Sequence, residues 1–113
     1  MQLQYGHIYL VDFEPSVGHE YQKKRPAVII EADKGLRQSS LVTIMPLTSQ
    51  MEKAHQDDIA VRKNVHNRLF VDSVVKVHVI TSFDRSRFIK RIGKMDDNVM
   101  GSIKAYLKKH FDI

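Results

Sequence analysis

Apolar residues fall on both parities of the chain from His7 to Phe13 (HIYLVDF), which predicts a strand buried on both faces; Glu14-Pro15-Ser16 then supplies turn chemistry. A polar stretch from Gly18 to Lys24 gives way to a second apolar, β-branched run, Arg25 to Ile30 (RPAVII). Ser40 to Thr48 predicts a third strand, Asp57 to Arg62 a fourth with Ile59 and Val61 on one face, and Leu69 to Val79 one or two more. On a regular strand Val75, Val77 and Val79 share one face, while Lys76 and His78 take the other. Lys34-Gly35 and the segment Asn64 to Asn67 read as turns. Short strands at this spacing predict a small barrel or a strongly bent sheet, because closure hides edges that would otherwise pair with other chains.

Near the C-terminus the period changes. Val99, Ile103, Tyr106 or Leu107, and His110 or Phe111 recur every three or four residues, the stripe of an amphipathic helix. Asp96 stands where a cap is expected. Asp97 near the positive end and Lys108-Lys109 near the negative end complement the helix dipole. A shorter helical turn is expected from Asp84 through Arg85 and Arg87, and Lys90-Arg91 reads as surface charge on a strand.

Composition narrows the picture. A chain of 113 residues has room for one core, so a single domain over 1–113 is expected. The apolar share of 42% suffices to fill that core, and no run approaches the length of a membrane span. The first residues lack a basic-then-apolar signal pattern, and the absence of cysteine fits a reducing compartment, so the expected location is the cytoplasm, away from membranes. None of the six histidines shows the close pairing of HExxH or a similar ligand motif, so neither a metal site nor a cofactor is expected. A net charge of +5 favours a polyanionic partner, since basic side chains displace counterions from phosphates.

The residues best suited to such a partner are Arg25 and Thr48. Arg25 carries five donors in a rigid fork matched to phosphate oxygens, and its position before Pro26 biases its backbone towards extended geometry. Thr48 adds a hydroxyl at the end of a strand, with Ser49 beside it and Pro46 restricting the chain just before. The same residues also fit a plainer reading: a solvated charge at a strand edge and ordinary turn chemistry.

Resemblance separates these readings. Gly6-His7-Ile8-Tyr9-Leu10-Val11-Asp12-Phe13, Pro15, Gly18-His19-Glu20, Lys24-Arg25-Pro26-Ala27-Val28-Ile29-Ile30 and Pro46-Leu47-Thr48-Ser49-Gln50 resemble, in order and spacing, the MazF/PemK family of toxin endoribonucleases. Weaker similarity runs through Asp72-Ser73-Val74-Val75 and Ser82-Phe83-Asp84 to Ile92-Gly93-Lys94-Met95-Asp96-Asp97. The resemblance implies a mainly β chain with helices: a small SH3-like barrel with a C-terminal α-helix. It implies a homodimer that cuts single-stranded RNA at short motifs, leaves 2′,3′-cyclic phosphate and 5′-hydroxyl ends without metal, and is neutralised by a cognate MazE/PemI-like antitoxin. Arg25 and Thr48 fall on the family's catalytic positions.

Metal-free cleavage by the ribose 2′-hydroxyl needs a base, an acid and donors for the phosphorane oxygens. A guanidinium with a pKa above about 12 suits the donor role better than proton transfer. Glu20 and His19, in the loop before Arg25, are the candidates for the base. The substrate-binding set expected here is His19, Glu20, Lys24, Ser49 and Gln50. Tyr21 is a candidate for base stacking, and Lys23-Lys24 for attracting phosphates. One departure stands out: many family members carry Gln-x-Arg on a late strand where this chain has Val79-Ile80-Thr81, with His78 just before. Those contacts do not carry over, which leaves a gyrase-poisoning, CcdB-like toxin and a catalytically weakened homologue as alternatives.

Overall fold

The computed structural model describes residues 2–14, 24–51 and 54–113. Among these the chain runs β1 (His7–Asp12), β2 (Lys24–Ile29), α1 (Asp33–Gln38), β3 (Leu41–Thr48), β4 (Ile59–Val61), β5 (Ser73–Val75), β6 (Thr81–Asp84), a 3-10 turn (Arg85–Arg87), β7 (Phe88–Lys94) and α2 (Asp97–Phe111). The strands form one antiparallel sheet in the order β4-β5-β3-β2-β1-β7, and β6 also pairs with β3.

Two-residue periodicity explains why the central strands are apolar on both parities. Ile8, Val28, Met45 and Leu47 point into one cluster, which Met95, Val99 and Ile103 close from the helical side. Their sequence neighbours Tyr9, Val11, Ala27, Ile29, Val42 and Ile44 point the other way, into a second cluster with Leu36 and Phe88. The sheet is thus the middle layer of the fold, and both of its faces are dry.

The mainly β class with a C-terminal helix is as expected, but among the described residues the sheet remains open. β3 uses one edge for β2 and shares the other between two partners: β6 along Leu41–Ile44 and β5 at Leu47 and Thr48. The path ends in β4, a strand of three residues against which α2 lies, so packing covers that end where a barrel would pair it.

Sharing an edge also reshapes the segment expected as a regular strand to Val79. The Lys76 amide bonds Pro46 O, whereas Thr81 stands opposite Ile44, so Val77–Val79 loop out as the chain passes from one half of β3 to the other. The Val79 amide closes that turn on Lys76 O at 3.0 Å. The single-face arrangement of Val75, Val77 and Val79 therefore does not form. Lys34-Gly35 belongs to a short helix that buries Leu36, and not to a plain turn.

The C-terminal helix matches its stripe, with Val99, Met100 and Ile103 buried. Asp96 is its N-cap residue, but its carboxylate makes no cap bond; Oδ1 accepts from Asn64 Nδ2 at 2.9 Å and so anchors the Asn64 turn. That turn is built around Asn67, which is fully buried: its Oδ1 accepts from the Asn64 and Leu69 amides, and its Nδ2 donates to Arg62 O. Arg68 follows at φ +55°, in the left-handed region. The turn lies directly on β7, where a Cβ at Gly93 would sit 2.4 Å from Asn67 O and 2.6 Å from His66 O.

Gly93→Ala should therefore lower stability by about 1 to 3 kcal/mol through backbone overpacking. Urea unfolding is the check; a midpoint equal to the wild type would show that the turn and β7 separate at little cost.

Candidate active site

The register of β2 against β3 builds the site. Ala27 pairs with Pro46 and Val28 with Met45, and carrying that register towards the strand ends sets Arg25 opposite Thr48. Both residues share the parity of Ala27, Ile29, Val42 and Ile44, so they extend one apolar face to the rim of the sheet.

Burial excludes the strand-edge reading of Arg25, which exposes only 8% of its surface. Its Nη1 donates to Leu47 O at 3.4 Å, a contact that ties the guanidinium to the neighbouring strand. Removing such a charge from bulk water is costly, and a positive group held there would interact more strongly with an anion than one in open solvent. Thr48 is equally buried. Its Oγ1 accepts the Gln50 amide at 3.1 Å, which engages a lone pair and leaves the hydroxyl proton free to donate.

Beside this pair lies a cleft of about 220 Å³. Lys24, Ser49 and Gln50, three of the residues expected to bind substrate, line it; Lys24 and Ser49 are exposed and Gln50 is half-buried. His19 and Glu20, with Tyr21 and Lys23, lie outside the described residues. Leu69, Phe70, Val71 and Ser73 also line it; a strand was expected from Leu69, but β5 begins only at Ser73. Phe70 is 95% exposed, an aromatic face held in water at the cleft rim. Its only signal in the sequence was an aromatic residue following the Asn64 to Asn67 turn.

A larger cleft, of about 580 Å³, lies where the Asn64 turn meets β7; it is lined by His66, Arg68, Arg91 and Lys94 with Asp96 and Asp97. Volume does not decide between the two. The smaller cleft has a buried cation and an oriented hydroxyl on one wall, an arrangement that can hold a tetrahedral anion at two points.

The departure at Val79-Ile80-Thr81 also has a structural form. Val79 closes the looped-out turn, Ile80 follows it, and Thr81 opens β6. His78 faces neither the cleft nor the core: it is exposed beside Asp57 and Tyr106.

Comparison with known proteins bears on the family and the fold. The family profile described as "PemK-like, MazF-like toxin of type II toxin-antitoxin system" matches residues 4–111. Endoribonuclease EndoA of Bacillus subtilis is 30% identical over 112 residues, covering 96% of this chain and 93% of that one. The crystal structure of MazF from Deinococcus radiodurans superposes with a TM-score of 0.83 at 23% identity, over 100% of this chain and 99% of that one. An endoribonuclease from a mycobacterial species, solved in complex with its cognate antitoxin, gives 0.76 at 15% identity over 99% and 95%. At these identities the two structures show a shared fold.

Titration with inorganic phosphate should shift the amide resonances of Lys24, Arg25, Thr48, Ser49 and Gln50 ahead of all others, and Arg25→Met should abolish the response. Shifts centred on Arg68 and Arg91 would instead place the anion in the larger cleft.

Proposed function

The chain belongs to the PemK-like, MazF-like toxins of type II toxin-antitoxin systems, and on that premise we propose that it is an endoribonuclease acting on single-stranded RNA through Arg25 and Thr48. The observation that carries this reading is the burial of Arg25 opposite Thr48 at the wall of an open cleft. A buried guanidinium is worth its desolvation cost where negative charge develops, as it does on phosphorus during strand cleavage.

In the proposed reaction the ribose 2′-hydroxyl attacks the adjacent phosphorus in line with the 5′-oxygen. The O2′–P bond forms as the P–O5′ bond breaks, leaving a 2′,3′-cyclic phosphate and a 5′-hydroxyl. A base takes the 2′ proton, and the departing oxygen gains one. Arg25 neutralises charge on the non-bridging oxygens, and Thr48 donates its free hydroxyl proton to one of them. No step as written requires a metal ion. Glu20 and His19 remain the proposed candidates for the base.

Lys24, Ser49 and Gln50 position the RNA backbone, and Phe70 offers a face on which an unpaired base stacks. The whole chain, 1–113, acts as one toxin domain in the cytoplasm, paired with a second copy about a two-fold axis. A cognate antitoxin neutralises it with an acidic segment that competes with RNA for the basic cleft; the charge of +5 supports that pairing. No helix among the described residues is long and apolar enough to cross a membrane.

Purified protein should cut single-stranded RNA in the presence of EDTA, and Arg25→Ala should lose about 100- to 1,000-fold in rate. Sequencing of cleavage ends after brief induction gives the motif. Growth arrest without discrete cuts would favour a gyrase-poisoning toxin, and neither arrest nor cuts a weakened homologue. Cleavage of a strand with 2′-deoxyribose at the target position would rule out the mechanism.

A further inference from the structure

The antiparallel pairing of β4 with β5 brings together residues that sequence spacing keeps apart. Ile59 stands opposite Val75, so the residues entering β4 and those leaving β5 meet at one end of the pair. His55 and Asp57 arrive from the first segment and His78 from the second. Close pairing of potential ligands, absent along the sequence, thus exists in space.

The cluster has a scaffold. The Asp58 amide bonds His55 O at 2.9 Å, and the His55 amide bonds Asp58 Oδ2 at 2.8 Å, which closes the turn that carries His55 and Asp57. Lys76 Nζ also reaches Asp58 Oδ2, at 2.7 Å, in an ion pair largely shielded from solvent. It locks this turn to the Lys76–Val79 turn that presents His78. From α2, Tyr106 places its hydroxyl 3.1 Å from His78 Nδ1 and 3.3 Å from His110 Nδ1.

We propose that His55, Asp57 and His78 bind a first-row divalent transition-metal ion, with Tyr106 as the residue that orients His78. One ligand atom from each of the three lies within 4.8 Å of the others. A tetrahedral zinc ion with bonds of about 2.0 to 2.2 Å holds its ligand atoms about 3.4 Å apart. The separations of Asp57 Oδ2 from His78 Nε2, 3.1 Å, and from His55 Nδ1, 3.8 Å, bracket that value. All three residues are exposed, so small rotations complete the set and water fills the remaining position.

Hydrogen bonding prepares the right nitrogen atoms. His55 Nδ1 accepts the Asp57 amide at 3.2 Å, so it bears a lone pair on the side of the carboxylate. That bond opens when the ion binds. In the metal-free protein His78 Nε2–H donates to Asp57 Oδ2; when the ion takes that place the imidazole switches tautomer and its proton moves to Nδ1. His78 Nδ1–H then donates a hydrogen bond to the Tyr106 oxygen, and the Tyr106 hydroxyl donates one to His110 Nδ1. Two imidazoles and one carboxylate favour zinc, nickel or copper over magnesium or calcium.

This site is separate from the Arg25–Thr48 cleft. Ser73 at the start of β5 lines that cleft, and His78 lies past Val75 at the strand's other end. The proposal does not depend on the ribonuclease reading.

The test uses untagged full-length protein stripped with EDTA and dialysed. Calorimetric titration with Zn²⁺ should show saturable binding of one ion per chain, with no comparable response to Mg²⁺. Asp57→Asn and His78→Ala should each weaken binding at least about tenfold, and His66→Ala should leave it unchanged. Co²⁺ should give d–d absorption bands that His78→Ala removes and that Tyr106→Phe shifts while weakening affinity about tenfold. Absence of saturable Zn²⁺ binding, or equal affinity in Asp57→Asn and His78→Ala folded as the wild type by circular dichroism, would overturn the proposal. Unshifted Co²⁺ bands in Tyr106→Phe would remove Tyr106 from its positioning role.

Discussion

The pairing of β2 with β3 is the constraint on which the rest of the structure depends. It divides the apolar residues of the central strands between two cores, one closed by α2 and the other by Leu36 and Phe88. The same register sets Arg25 opposite Thr48 at the strand ends. A slip of one residue would send every core side chain to the wrong face and part the two polar ones as well. Stability and the placement of Arg25 beside Thr48 are fixed by the same hydrogen-bonded ladder.

Burial on both faces left a strong trace in the sequence. HIYLVDF and RPAVII read as strands because apolar residues on both parities have no place on a sheet with one wet face. Helix α2 was legible for the complementary reason: its stripe is buried on one side only. What local pattern could not show was the sharing of β3 between two partners, a long-range event. The loop at Val77–Val79 and the open sheet path both follow from it. Helix α1 escaped because a single buried residue, Leu36, makes no period. Asp96 was placed correctly at the helix start, but its carboxylate serves Asn64, a partner distant in sequence.

The site divides in the same way. Residue types at Arg25 and Thr48 indicated phosphate chemistry, and resemblance made them catalytic candidates, but only the fold shows that Arg25 is buried. Phe70 and the cluster of His55, Asp57 and His78 had no comparable signal. Their surroundings come from the Asn64 turn and from β4–β5 pairing. Where the family's Gln-x-Arg is replaced, the chain forms the junction of a turn and a strand.

Charge held rigidly in a buried position differs from charge alone, and Arg25→Lys separates the two. Lysine keeps the positive charge but lacks the planar fork that donates to Leu47 O and matches the geometry of two phosphate oxygens. The decisive measurement is steady-state cleavage of one RNA carrying the mapped motif, in EDTA, by wild type and Arg25→Lys. If the buried guanidinium stabilises the transition state, the loss falls on kcat while KM changes little. An unchanged kcat with a raised KM would contradict that role and leave Arg25 as a residue that only binds the RNA.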